Sequence, residues 1–187
     1  MKQERYAELV RRSIRGEVAA FEELIGKYKQ GLYAYLFGMT GGDHAAAADI
    51  LQEAFLKAFL NISRFRGEAS FMTWLWRIAR NEFIDYCASP KTSKNLSVDD
   101  LPEKELAQES DFRDSLHQRD RGEHLRRLIG SLSPEHREVL ELVDLQELRY
   151  DEAARIVGIS EGALKSRLFR ARERLFALVL ENRELFS

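Results

Sequence analysis

"YDEAARIVGISEGALKSRLFRARERL", Tyr150 to Leu175, reads as a short helix, a turn at Gly158-Ile159-Ser160 and a longer second helix. Ser160 stands where it can cap that second helix, because a serine hydroxyl accepts from an otherwise unpaired backbone N–H at a helix start. At about 100° per residue, Leu164, Leu168, Ala171 and Leu175 fall on one face, which must pack inwards. Lys165, Ser166, Phe169 and Arg170 fall on the opposite arc, with Gly162 near its start and Arg167, Arg172 and Arg174 flanking it. From Ala163 to Arg174 five cations stand against one anion, Glu173. Such a helix could owe its charge to the helix dipole and to solubility alone. The helix-turn-helix frame with a polar, basic outer face is instead that of a major-groove reader whose cations meet phosphate. Gly162 and Ala163 are small enough to let the backbone itself approach a phosphate.

The basic surface is local. The 187 residues carry a formal net charge of -2, so no global field draws the chain to nucleic acid or to an anionic membrane. A composition of 44% hydrophobic and 32% charged residues fits soluble helical modules, and the length allows one ordinary domain or two small ones. Cys87 is the sole cysteine and excludes an intramolecular disulfide; His44, His117, His124 and His136 are scattered, so neither a metal site nor a cofactor is expected. The start "MKQERYAELV" is charged, and runs such as "LFALVL" fall far short of the roughly 20 residues that cross a bilayer, which predicts a cytoplasmic chain without membrane insertion. No catalytic dyad is evident, and "GEVAAFEEL" has no Walker-type lysine or serine, so the chain is not expected to be an enzyme.

Prolines occur only at positions 90, 102 and 134, so nothing forces a break in the front half, which is expected to be helical throughout. "EVAAFEELIGKYKQGLYAYLF" repeats apolar residues at three and four, from Val18 and Phe21 through Tyr28 to Tyr35 and Leu36. "GMTGGDH" supplies a glycine-rich turn, "AAAADILQEAFLKAFLNI" the next helix, "SRFRGEAS" a loop and "FMTWLWRIARNEFIDYCA" the helix after it. From Ser89 to about Asp114 the chain has too few large apolar groups to order itself, and its latter part is acidic (Asp99, Asp100, Glu103, Glu105, Glu109, Asp111). The expected fold is therefore all-α: two small helical domains, 1–88 and 117–187, joined by a flexible linker over 89–116.

"FRGEASFMTWLWRIARN", Phe65 to Asn81, sets two tryptophans beside basic and amide groups. Helical geometry puts Phe71, Leu75, Ile78, Ala79 and Tyr86 in one sector, with Met72, Trp76 and Phe83 beside it, so that broad face is core. Glu82 also falls in the apolar sector. Trp74, Arg77 and Asn81 share a different sector, near Thr73 and Arg80. An aromatic beside an amide and a cation is what unpaired bases require, for stacking, for a base edge and for the strand backbone. The loop before it offers Arg64, Phe65, Arg66 and Ser70 as walls for an extruded base. Read as chemistry alone, the same helix is also compatible with plain core. On the preceding helix Asp49, Gln52, Glu53 and Leu56 share an edge, which is either solvent surface or a docking face for a basic partner helix. Two other classes remain open at this level. One is a two-domain regulator that binds operator DNA without polymerase; the other is a helical interaction protein with no nucleic-acid role.

The two blocks, in this order and at this spacing, resemble the extracytoplasmic-function (group IV) sigma factors of bacterial RNA polymerase. The front block resembles sigma region two through "AFEELIGKY", "DILQEAFLKAF" and "FRGEASFMTWLWRIARN"; the back block resembles region four through "LSPEHREVLEL", "YDEAARIVGIS" and "GALKSRLFRARERL". The resemblance implies a chain that directs core polymerase to promoters, commonly within a stress response. It assigns Asp49, Gln52, Glu53 and Leu56 to the clamp helices of the largest catalytic subunit, and the back block to the flap of the second. It assigns Arg64, Phe65, Arg66, Ser70, Phe71, Trp74, Arg77 and Asn81 to the melted minus-ten strand, some for bases and some for loop shape. It assigns Lys165, Ser166, Phe169 and Arg170 to base edges of the minus-thirty-five duplex, with Gly162, Ala163, Arg149, Arg167 and Arg172 toward phosphate. Lys165 stands where relatives frequently carry Arg, and presents a point charge rather than a planar fork. The resemblance also implies an anti-sigma partner and a linker that runs through the polymerase cleft.

Overall fold

The computed structural model describes residues 2–89 and 122–186, and every regular element among them is helical. Helices α1 (Lys2–Ile14), α2 (Val18–Met39), α3 (His44–Asn61) and α4 (Phe71–Ala88) form an N-terminal bundle. Residues 122–130 (α5), α6 (Pro134–Leu140), α7 (Tyr150–Val157) and α8 (Glu161–Glu181) form a C-terminal one, and α6 runs on into a π turn at Glu141–Leu145. The all-α, two-module architecture expected from the sequence is the one found. The linker over 89–116 lies outside the described residues, except for Ser89.

Local chemistry sets the helix starts. Asp43 caps α3 by accepting from the Ala46 N–H at 2.9 Å, Ser70 caps α4 through Thr73 N–H at 3.1 Å, and Ser160 caps α8 through Ala163 N–H at 3.2 Å. Gly158 ends α7 at φ 82°, a left-handed conformation that costs glycine nothing and so lets the chain turn sharply into α8. The N-terminal core is built from Leu24, Leu32, Tyr35 and Leu36 of α2, Ile50 and Ala54 of α3, and Phe71 and Leu75 of α4. Val18, expected on the apolar face, is 54% exposed, although Ala20 and Phe21 of the same first turn of α2 are buried.

The two modules pack on each other: α7 lies against α4, while α6 and the π turn lie against α2. Charged groups are shut inside this contact. Glu138 of α6 is 6% exposed; its carboxylate accepts from Arg80 of α4 (Nε to Oε1 2.6 Å, Nη2 to Oε2 3.3 Å) and from the buried Tyr35 hydroxyl of α2 at 3.2 Å. Burial, with the Glu138 charge next, pushes the Tyr35 pKa well up, so it stays a neutral donor. Arg137 ties two helix ends together: it donates to Met39 O at 3.0 Å, one of the unpaired carbonyls at the end of α2, and to Gly130 O and Leu132 O (3.4 Å) where α5 ends. Its burial lowers its pKa.

Glycine makes the close approach possible. The Glu141 carboxylate lies directly over Gly38, where a Cβ would collide with it, and two turns earlier on the same face of α2 Gly31 receives Trp76 and Gln146. Gly38→Ala is therefore expected to weaken the module contact by about 1–2 kcal/mol despite its better helix propensity, whereas Gly38→Ala with Glu141→Ala should be at least as stable as the parent; thermal denaturation compares them.

Burial, opposed by Arg137 and Arg126, raises the Glu141 pKa from 4.5 to about 7. The folded chain thus holds this proton more tightly than the unfolded chain. Its contribution to stability is full below about 4.5, falls between about 4.5 and about 7, and is flat above. Glu141→Gln should match the parent at the acid end of that window and exceed it above, by something on the order of 3 kcal/mol, in denaturant titrations across pH.

Candidate nucleic-acid interface

The loop from Phe65 to Ser70 leaves a 3-10 turn at Ile62–Arg64, reverses at Gly67 (φ 74°) and enters α4 at the Ser70 cap. Trp74, on the first turn of α4, is half-buried against two rings: its centroid lies 5.5 Å from Phe65 and 5.5 Å from Phe71. The indole is thus held by these rings and only partly open to solvent, while Arg77 and Asn81 on the same sector of α4 are exposed. Arg64, Arg66 and Ser70 are exposed, and Phe65 is half-buried. Phe71 differs from the other seven strand candidates. At 1% exposure, with Phe65 edge-on at 5.7 Å and Tyr6 edge-on at 6.5 Å, it is closed to any ligand and can only support the rings around it. Trp76 is 3% exposed and belongs to the core. Glu82, which fell in the apolar sector of the sequence, is accounted for by Lys57 of α3, whose Nζ lies 2.6 Å from its carboxylate.

On α8 the inward set is as spaced: Leu164, Leu168 and Ala171 are buried and Leu175 half-buried. Gly162, Ala163, Lys165, Ser166, Phe169 and Arg170 are all exposed, with Phe169 at 63%. The flanking cations differ. Arg172 forks onto Asp144 of the π turn (Nε 3.0 Å, Nη2 2.5 Å), and that hydrogen bond raises its pKa further. Arg167 reaches Glu135 at 3.5 Å, and Arg149 reaches Asp151 at 3.1 Å. Lys165 lies 2.5 Å from Glu161 and 5.3 Å from the Tyr150 ring centre; the Glu161 hydrogen bond raises its pKa. Among the described residues Arg170 has no acidic partner, so of these cations it is the one exposed without an ion pair to break.

On α3, Asp49, Gln52, Glu53 and Leu56 are exposed along one edge. Leu60, 67% exposed and one turn beyond Leu56, continues that edge and was missed by the sequence reading, although its spacing of four from Leu56 was available. The Arg80–Glu138 pair was also missed, because 58 residues separate its partners and no local pattern joins them.

One helical module thus exposes an aromatic-cationic face and the other a helix-turn-helix, the surface chemistry of a protein of the nucleic-acid-reading class. The family model for Sigma-70 region 2 matches residues 24–92, and that for Sigma-70, region 4 matches residues 123–175. The chain is 38% identical over 157 residues to the ECF RNA polymerase sigma factor SigM of Bacillus subtilis, covering 84% of this chain and 93% of that protein. It is 32% identical over 173 residues to the ECF RNA polymerase sigma-E factor of Escherichia coli, covering 88% of this chain and 89% of that one. Among solved structures, the sigma factor RpoE of Bartonella quintana, crystallised with the anti-sigma factor NepR, superposes with a TM-score of 0.66 at 25% identity, over 85% of this chain and 96% of that one. The chain belongs to the extracytoplasmic-function RNA polymerase sigma factors of the sigma-70 family. Sigma-factor function follows from that membership, and the reading as an operator-binding regulator independent of polymerase does not hold.

The different states of the α8 cations give a test. Arg170→Gln should cost about 1–3 kcal/mol of discrimination at one base pair of the minus-thirty-five element, as a lost base-edge fork would. Arg172→Gln should instead lower the melting temperature, because it frees the turn that carries Asp144, and should leave that discrimination unchanged; competition of holoenzyme between duplexes differing at single base pairs, with thermal denaturation, separates the two.

Proposed function

We propose that the chain recruits core RNA polymerase through the α3 edge of Asp49, Gln52, Glu53, Leu56 and Leu60, and reads promoter DNA at two places. The exposed rim of Trp74 with Arg77, Asn81, Arg64, Phe65, Arg66 and Ser70 takes the melted minus-ten strand, and Phe71 supports it from beneath. The outer face of α8, with Gly162, Ala163, Lys165, Ser166, Phe169 and Arg170, enters the major groove of the minus-thirty-five element. Arg149, Arg167 and Arg172 reach phosphate only after leaving their present acidic partners. The observation that carries this reading is the half-held indole of Trp74. A partly exposed ring fixed in place by Phe65 and Phe71 is pre-ordered for stacking, which is worth roughly 1–3 kcal/mol per base.

In this reading the modules are residues 1–88 and 117–187 with a connecting segment at 89–116, and the family matches at 24–92 and 123–175 support that division. The chain does no chemistry of its own; polymerase forms the bonds, and trapping an unpaired base tips the duplex toward opening. No helix among the described residues is long and apolar enough to cross a membrane, and the working compartment is taken to be the cytoplasm, where polymerase acts. An anti-sigma partner is part of the proposal, on the likeness to the Bartonella quintana complex.

The test is reconstitution. Purified chain with core polymerase should start transcription from a promoter upstream of its own operon, and neither component alone should. In that assay Trp74→Ala should reduce strand opening by about tenfold, within the range of one lost stacking contact, and Asn81→Ala should reduce it through loss of a base-edge hydrogen bond, both leaving the affinity for core polymerase unchanged. Equal loss of both would overturn the assignment of α4.

A further inference from the structure

Arg80 lies about 60° round α4 from Arg77, at the border between the exposed stripe of Trp74, Arg77 and Asn81 and the stripe covered by the C-terminal module. Its side chain keeps 22% of its exposure, so part of it is still reached by solvent beside that exposed stripe, whereas the Glu138 side chain keeps only 8%. The guanidinium sits on the Glu138 carboxylate as a fork, with both oxygens used. A phosphate presents the same planar-donor target, two anionic oxygens at hydrogen-bond distance.

We propose that Arg80 is a further contact to the sugar-phosphate backbone of the unpaired strand, held in reserve by the Glu138 carboxylate until the two modules part. The proposal rests on the reading of α4 as the strand-facing helix. Glu138 comes from the other module, so its hold on Arg80 exists only while the modules are packed. A buried carboxylate–guanidinium pair gives back about what its desolvation costs, so exchanging Glu138 for a strand phosphate meets little resistance. The closed chain therefore hides one cation of its own strand-binding surface, and its apparent affinity is reduced by the fraction of molecules that are closed. The α3 edge is untouched by this contact and stays exposed in the closed form.

The experiment uses the full chain with a pool of random-sequence single-stranded DNA about twelve nucleotides long, a length that spans a typical strand-binding groove. Glu138→Ala leaves Arg80 without its buried partner and should open the chain, raising the radius of gyration in X-ray scattering and the affinity for the pool by about fivefold or more. Adding Arg80→Gln to Glu138→Ala should leave the chain equally open but make the salt dependence shallower by about 0.7 in log-log slope, the value for one single-strand phosphate contact. The reversed pair, Arg80→Glu with Glu138→Arg, should return the radius to that of the parent without any gain in DNA affinity, and shows at the same time that substitutions here still fold. Unchanged affinity in an opened Glu138→Ala chain would overturn the masking. Equal slopes with and without Arg80 in that background would overturn the strand contact. Failure of the underlying reading looks different: Trp74→Ala in the Glu138→Ala chain would then leave the fivefold gain intact.

Discussion

A carboxylate removed from water has to be met by donors, and Glu138 is met from two directions at once. Arg80 reaches it from α4 and Tyr35 from α2, so the C-terminal module can seat on the N-terminal one in a single register. Apolar surfaces alone would not fix that register, since Leu, Val and Ala contacts tolerate sliding by a few ångströms. The buried ionic and hydrogen-bonded groups do not. Gly38 and Arg137 belong to the same constraint: one removes a side chain so that Glu141 can lie on α2, and the other satisfies the carbonyls where α2 and α5 end. The net stabilisation from these charges is small, because desolvation offsets attraction. What they supply is uniqueness of fit.

The helix α4 is shared between two jobs because its circumference is divided. Phe71, Leu75 and Ala79 bind it into its own bundle, Trp76 and Arg80 meet the other module, and Arg77 and Asn81 face water. Trp74 stands at the boundary between the dry and wet sectors, which is why its ring is supported by Phe65 and Phe71 rather than engulfed by them. The charge pattern of α8 is divided in the same way. Arg172 and Arg167 are spent on Asp144 and Glu135, and Arg170 is left to solvent. A run of arginines in a sequence is thus not a uniform positive surface once neighbouring carboxylates have chosen among them.

Much of this was legible beforehand. Helix spacing gave the inward faces of α2, α4 and α8, and Ser160 was readable as a cap because capping is a local bargain between a hydroxyl and a nearby N–H. The exposed status of Asn81, Arg77, Lys165 and Arg170 followed from the same geometry. Long-range partners were not legible. Nothing near Glu82 announces Lys57 on another helix, and nothing near Arg80 announces Glu138 in another module. Phe71 was placed with core residues by periodicity and with strand-binding residues by resemblance; its 1% exposure allows only the first as direct contact. Gly31 and Gly38 carried no signal, because a glycine in a helix shows its purpose only when the approaching group is known.

Ser70 illustrates how a fold limits its own evolution. Its hydroxyl terminates the loop and opens α4 in one stroke, accepting from Thr73 N–H and lying 2.9 Å from the Thr73 hydroxyl. Variation there is confined to the few short side chains that carry an oxygen one bond from Cβ or one carbon beyond it, such as threonine, aspartate or asparagine. A bulkier or purely aliphatic replacement would fray the start of the helix that presents Trp74, whereas the exposed neighbours at 64, 66 and 68 carry no such capping duty.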